Sequence, residues 1–448
     1  MKKSVYTICI LSLVLSVAAS EWAHYRGPDG NGICNEPASL RFNGEGPKVI
    51  WKVPVKNGFS SLSIADGKAF TVVTRELEGA PREVCIALDA KRGKELWFTP
   101  VGIATYDNGG DSGTDSNKGG DGPRSTPTVR DGKVYVYNQV LLLYCLDAQT
   151  GKVLWTKDVM KEHAGRNIPW KNATSPVVDG NLLFIAGGGP GESLLALNKE
   201  TGAVVWKGQD DLLTHATPVV ANILGERQVV FFMRSGLLSV SSKDGSLLWR
   251  FPFRFATSTA ASPVVAGDIV YCAAAYGIGA GACKISKEGN KWVATQLYKI
   301  PDNKVANHWS TPVVKDGYLY GMFGHKQYGS GPLKCVEMAT GNVKWSKAGF
   351  GQGNVILAGD QVVALTDDGQ LVVVKANPSS YEEIARAKVL NGKCWSTPAL
   401  SDGKLYVRST KEAACLDVSA KSAITEPPKA KSSTVQAIKD NWMTRLAK

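Results

Sequence analysis

Short runs of β-branched and aromatic residues, such as Val134-Tyr135-Val136-Tyr137, recur along the chain with the alternation of strands rather than the 3.6-residue period of helices. Asp-Gly or Gly-Asp pairs punctuate them: Asp66-Gly67, Asp131-Gly132, Asp179-Gly180, Gly267-Asp268, Asp316-Gly317 and Asp402-Gly403. These residue types accept the positive φ that a tight hairpin turn demands. One unit repeats, opening Ser/Thr-Pro-x-Val-x-Asp-Gly-x-x-Tyr and closing Thr-Gly-x-x-x-Trp, most clearly from Ser125 to Trp155. Further copies begin near Ser60, Thr174, Ala216, Ala261, Ser310, Gly353 and Ser396. Each copy reads as four strands, and self-similarity at this period indicates a radial or solenoid array.

The eight copies predict an all-β, eight-bladed β-propeller of four-stranded antiparallel blades spanning residues 47–419. The last copy has no closing tryptophan, whereas Val49-Ile50-Trp51-Lys52-Val53 looks like its missing fourth strand. That N-terminal strand is expected to close the last blade and so remove the open sheet edges. Trp51, Trp97, Trp155, Trp206, Trp249, Trp292 and Trp345 are expected to pack between neighbouring twisted sheets as structural repeat residues.

Composition changes the picture mainly at the two ends. Lys2 and Lys3 precede an apolar run from Val5 to Val17 and the small residues Ala18-Ala19-Ser20, so residues 1–20 read as a secretory signal peptide and 21–46 as a lead-in segment. Periplasmic or secreted location is the expectation, with no transmembrane segment after signal removal. No cysteine stands at the cleavage point for lipidation. The net charge is +12, of which Lys2 and Lys3 supply two units and residues 420–448, with six basic and two acidic side chains, four. The remaining excess on so large a body is a solvated face, and no nucleic-acid partner is expected. Within that tail Pro427-Pro428 reads as a basic linker, and Ser433 to Gln436 as a capping box opening a short amphipathic helix with Val435, Ile438, Trp442 and Leu446 on one face.

Eight cysteines remain once Cys9 leaves with the signal, yet Cys145, Cys335 and Cys415 occupy the same repeat position and belong to different blades. Buried free thiols are expected. No Cys or His pairs stand at zinc-ligand spacing, and no metal site is expected.

With these residues in view, the Thr-Gly-x-x-x-Trp copies resemble the pyrroloquinoline-quinone (PQQ) type propeller repeat, shared by quinoprotein alcohol dehydrogenases and the outer-membrane assembly lipoprotein BamB. The opening Trp22-Ala-His-Tyr-Arg26-Gly27-Pro28-Asp-Gly-Asn-Gly32 and the block from Gly353 to Leu416 resemble PQQ-like propeller proteins of planctomycetes. The resemblance covers nearly all of residues 22–418 and implies the fold far more than a function. It implies, for the dehydrogenases, PQQ with Ca²⁺ and a vicinal Cys-Cys disulfide. No two cysteines are adjacent here, and no Cys-x-x-Cys-His haem motif occurs.

In a propeller the loop that leads into the first strand of each blade faces the central funnel. The ligand-binding candidates are therefore Arg124, Asn172, His215, Asn307, His308, Trp309, Gln352, Asn354, Lys393 and Trp395, flanked by Thr174 and Thr259. Amides, bases and indoles converging on one axis suit a polar, anionic or carbohydrate-like ligand, or else solvate and plug the channel. The Asp-, Asn- and Gly-rich insertion from Tyr106 to Gly122 reads as a surface loop, since its spacing fails the EF-hand pattern. Gly187 to Gly191 reads as a blade loop. The expectation is a monomeric, non-catalytic binding or scaffold module for an unknown protein, carbohydrate or small polar ligand, with no catalytic residue and no cofactor. The alternative is a divergent quinoprotein-type oxidoreductase using PQQ and calcium.

Overall fold

Four of the Asp-Gly pairs adopt the consecutive positive φ angles that a two-residue hairpin requires: Asp66 and Gly67 at 48° and 70°, Asp131 and Gly132 at 50° and 70°, Asp316 and Gly317 at 49° and 81°, Asp402 and Gly403 at 52° and 64°. Each joins the first two strands of a blade. The computed structural model describes residues 21–106, 122–255, 257, 259–324 and 331–419. The expected signal peptide, most of the Tyr106–Gly122 insertion and the expected C-terminal helix lie outside the described residues.

Eight antiparallel sheets surround one axis. Blades 1 to 7 span 63–103, 128–158, 177–208, 219–252, 264–300, 313–347 and 354–388 in chain order. Blade 8 takes three strands from 399–417 and its fourth from Lys48–Pro54, which pairs antiparallel with Glu412–Asp417. The ring is thus locked by both ends of the body, as expected. First strands of neighbouring blades lie side by side around the channel.

The repeat tryptophans have a specific task. In most blades an aromatic residue on the second strand, a small residue on the third and the tryptophan on the fourth stand in one cross-strand row. Blades 2, 6 and 8 carry Tyr135–Cys145–Trp155, Tyr320–Cys335–Trp345 and Tyr406–Cys415–Trp51. Blades 1 and 3 carry Phe70–Ala87–Trp97 and Phe184–Ala196–Trp206. The small middle residue lets the outer rings meet above it, with centroids 5.8–6.1 Å apart in these five rows. The eight cysteines of the described residues are free and buried, three of them in these rows.

Each tryptophan then reaches the next blade. Trp51, Trp97, Trp206 and Trp345 donate their indole N–H to the carbonyls of Ala90, Ala148, Ser242 and Asn377. The glycine of the next Thr-Gly or equivalent turn lies against the ring: a Cβ on Gly93, Gly151, Gly202 or Gly245 would stand 2.8, 2.6, 2.8 or 2.5 Å from Trp51, Trp97, Trp155 or Trp206. Trp292 departs from the expectation. The row position in blade 5 is held by Tyr298, opposite Ala282, while Trp292 sits near the tip of the long hairpin under the Lys287 ammonium. The hairpin is longer in this blade, so the tryptophan that follows Gly289 lies too early in the strand to reach the interblade seam.

The lead-in segment is a strap across the channel on the side of the Asp-Gly turns. Trp22 bridges Ile64 of blade 1, and the Ala23 carbonyl accepts from Val129 of blade 2. Arg26 then reaches the Thr311 and Pro312 carbonyls of blade 6, and Ile33–Cys34 adds a parallel fifth strand to blade 7. The strap passes so close to its own arginine that a Cβ on Gly32 would lie 2.7 Å from the Arg26 guanidinium.

Candidate functional site

At the opposite end of the channel, the residue two places ahead of each inner strand's Ser/Thr-Pro or equivalent forms a ring of eight: Phe59, Arg124, Ala173, His215, Ala260, Trp309, Gln352 and Trp395. Just beneath it runs a girdle of hydroxyl-to-amide bonds. At five of the eight positions the residue preceding the proline, or its counterpart Ser61, accepts through its hydroxyl from the equivalent N–H of a neighbour: Thr397 N–H to Ser61, Ser61 to Thr126, Thr126 to Ser175, Ser175 to Thr217, and Ser262 to Thr311, all within 2.9–3.0 Å. Inner strands have no further strand to pair with, so side chains satisfy their donors. The girdle fixes the ring above it.

The mouth has two unlike halves. From blade 5 through blades 6 and 8 to blade 1, rings follow one another: Tyr276 to His308 at 5.2 Å, His308 to Trp309 at 5.1 Å, Trp309 to Trp395 at 4.2 Å, and Trp395 to Phe59 at 4.8 Å. The Lys393 ammonium lies 4.8 Å from the Trp395 ring centroid. Trp309 donates its indole N–H to the Gln352 carbonyl at 2.7 Å, bridging over blade 7, whose own loop is glycine-rich. Trp395 has Phe59, Trp309 and Lys393 gathered round its ring and forms the wall of the mouth. Phe59, His308, Trp309 and Trp395 all remain half-buried.

The other half, over blades 2 to 4, is basic and polar. Arg124 donates to the Trp170 carbonyl and lies 5.8 Å from the Tyr106 ring. His215 Nε2 stands 2.8 Å from the Lys171 carbonyl, which makes that nitrogen the protonated one. Burial, with Arg124 adding to it, pushes His215 down to about 3, so the imidazole is neutral. Trp170 and Lys171 hold consecutive positive φ angles of 70° and 66°, which aims both carbonyls inward. Next to them Glu83 is buried, accepting from the Tyr106 hydroxyl and the Gln139 N–H, and burial lifts it to about 7.

Several expected ligand contacts turn out to be loop fasteners. Asn172 donates to the Tyr137, Asn138 and Thr174 carbonyls and accepts from the Thr174 N–H and hydroxyl. Asn307 binds the Met322 carbonyl at 2.9 Å and the Tyr271 hydroxyl at 2.7 Å. Asn354 donates to the Trp395 carbonyl, and Gln352 is 6% exposed. His215 and His308 do not face each other across the funnel; they flank the blade 5 loop, where His215 N–H meets the Thr259 carbonyl and the His308 carbonyl accepts from Ala260 and Ala261. Of the expected residues, Arg124, His308, Trp309, Lys393 and Trp395 are the half-buried ones that contribute surface to the mouth. Phe59, Tyr276 and Glu83 were not among the expected residues. Phe59 was findable, because it precedes Ser60-Ser61 as Trp395 precedes Ser396-Thr397; Glu83 sits on a third strand with no motif around it.

Among the described residues no group of three or more His, Cys, Asp or Glu side chains could hold a metal ion. No helix of the described residues is long and apolar enough to cross a membrane.

Fold, repeat rows and funnel together define a PQQ-like β-propeller. Residues 80–347 match the family described as outer membrane protein assembly factor BamB, and the chain belongs to that family. It is 24% identical over 294 residues to the BamB protein of Moranella endobia, covering 62% of this chain and 69% of that one. A stretch of 146 residues is 37% identical to the quinoprotein ethanol dehydrogenase of Pseudomonas aeruginosa, covering 30% of this chain and 23% of the relative. In structure it is similar to BamB from Moraxella catarrhalis, with a TM-score of 0.57, 13% identity, and 82% and 96% of the two chains covered. The quinohemoprotein alcohol dehydrogenase of Comamonas testosteroni gives 0.60 at 13% identity, covering 91% and 82%.

Proposed function

We propose that the protein is a non-catalytic binding propeller, exported as a monomer to the periplasm or beyond, which offers its funnel mouth to a protein or carbohydrate partner. The observation that carries this reading is how the mouth's polar groups are used. Asn172, Asn307, Asn354 and His215 are bonded to the molecule's own loops, Glu83 is sealed beneath Tyr106, and the half-buried surface left over is aromatic and basic. Such a surface suits recognition, where large rigid rings and cationic groups supply contact area. A reaction would need a base or nucleophile aimed at open space. Similarity to proteins described as outer-membrane assembly factors supports the same reading, and the signal-like residues 1–20 support export.

A quinone with calcium fits this donor set poorly. Trp395 is already crowded by Phe59, Trp309 and Lys393, and among the described residues the carboxylates near the mouth do not gather into a cation site. The deciding experiment titrates the mature protein with PQQ and Ca²⁺ by calorimetry, alongside dye-linked alcohol oxidation. In parallel, a photo-crosslinking residue is placed at Trp309 and, as a rim control, at Val205, in the exporting host. Adducts to one macromolecule at Trp309 and not at Val205 support the reading. Saturable PQQ binding with turnover sinks it.

A further inference from the structure

Arg26 is a buried cation without an anion. Its side chain is 1% exposed, and its terminal nitrogens donate to the Thr311, Asn31 and Pro312 carbonyls. Its Nε–H has no partner among the described residues. Burial lowers it to about 10, and no carboxylate contributes to the balance. An uncompensated buried charge is expensive, and neutral carbonyls offset only part of the cost.

Beside it, between the strap and the inner strands of blades 4, 5 and 6, lies a cavity of about 210 Å³. Arg26 lines it on one side, while Ile33, Val219, Val264, Val265 and Val314 make an apolar wall on the other. An adjoining cavity of about 110 Å³ shares Asp29 and Arg227 with it and is lined by Ser262, whose hydroxyl is buried without a partner among the described residues. Arg26 and Ser262 meet on one residue: Arg26 binds the Thr311 carbonyl at 2.7 Å and the Ser262 N–H binds the Thr311 hydroxyl at 2.9 Å. Across both cavities three guanidiniums, Arg26, Arg130 and Arg227, stand against two carboxylates, Asp29 and Asp179. Arg227 is already taken in two bonds by Asp179.

We propose that this strap pocket binds a short aliphatic carboxylate, its carboxylate on the Arg26 Nε–H and Ser262 hydroxyl and its alkyl chain on the valine wall. A single negative charge is what the local balance lacks. A dianion such as phosphate would meet Asp29 without using the apolar wall. The pocket lies on the strap side of the hydroxyl girdle, and the proposal does not rest on what the mouth binds.

The test is calorimetry of the mature protein with sodium butyrate, against butyramide as the uncharged shape-mate and sodium chloride as the salt control. Saturable heat with butyrate alone is expected. Ser262→Ala should weaken it about tenfold, the usual effect of losing one hydrogen bond to a charged group. Ala221→Leu fills the larger cavity without touching Arg26, and should abolish binding while the protein stays folded by circular dichroism. Arg26→Met should abolish it too; if that variant fails to fold, the other two decide. No saturable heat, equal heat with butyramide, or binding unmoved by both Ser262→Ala and Ala221→Leu would overturn the proposal and leave a hydrated cavity.

Discussion

At the residue scale, three buried titratable groups set the acid response. His24 and His215 are lowered from 6.5 to about 4 and about 3, chiefly by burial. Each contributes stability that is present above its unfolded value and lost as pH falls below it. Glu83 runs the other way: raised from 4.5 to about 7, it contributes stability that is present below 4.5 and lost as pH rises through 7. In the overlap the unfolded chain holds two histidine protons that the native state lacks, and the native state holds one Glu83 proton. Glu83→Gln removes the opposing term and keeps the shape. It should steepen the fall of unfolding free energy with acidity by about 1.4 kcal/mol per pH unit between about pH 5 and 6. Urea melts of both proteins across that range check this, and parallel slopes would refute the buried, protonated Glu83.

At the element scale, the turn glycines separate two effects that sequence alone merges. Gly132 and Gly202 both hold left-handed angles, 70° and 72°. A Cβ at Gly132 meets nothing within 4 Å, whereas at Gly202 it stands 2.8 Å from the Trp155 ring. Gly132→Ala should therefore cost only the backbone term, about 1 kcal/mol. Gly202→Ala adds displacement of a seam tryptophan and should cost about 2–4 kcal/mol. Thermal melts yielding equal losses would mean that the tryptophan does not depend on that glycine. The fourth strands show a companion feature. A register shift interrupts the pairing of third and fourth strands in every blade, one residue before the row position. The extra residues include Leu96, Leu154, Val205 and Leu297, at 47%, 45%, 51% and 38% exposure. These exposed apolar side chains are the by-product of a bulge that twists each outer strand so that the row residue faces the seam.

At the scale of the whole molecule, the lead-in segment and closing strand act together. Removing residues 21–54 opens the edge of blade 8 and uncovers the inner strands of blades 1, 2, 6 and 7. Such a chain should lose its single cooperative melt and elute as aggregates in size-exclusion chromatography. A monomer with one sharp transition would show that the ring closes without its clasp. Blade count, closure and the seam role of most tryptophans could be read from the repeat, because each copy carries its turn and row residues at fixed offsets. The mouth was legible only in part. Position could be counted from Ser/Thr-Pro, which is how Arg124, Trp309 and Trp395 were found, but sequence does not say whether an amide faces solvent or its own loop, as Asn172 and Asn307 do. The strap was opaque for another reason: its bonds go to five blades, most of them far away in the chain, and no local pattern encodes such partners.

Both termini of the described body leave from one side. Glu21 reaches the N–H of Asp66 in the first blade's turn, and Val418 bonds to Gly403 in the last blade's turn, each on the face away from the funnel. A tag, support or fusion partner joined directly at Glu21 or Ser419 therefore hangs from the floor of the molecule. Immobilised by such a handle, the protein stands with its mouth turned outward, so biosensor surfaces and affinity resins made from it will display the aromatic arc rather than hide it.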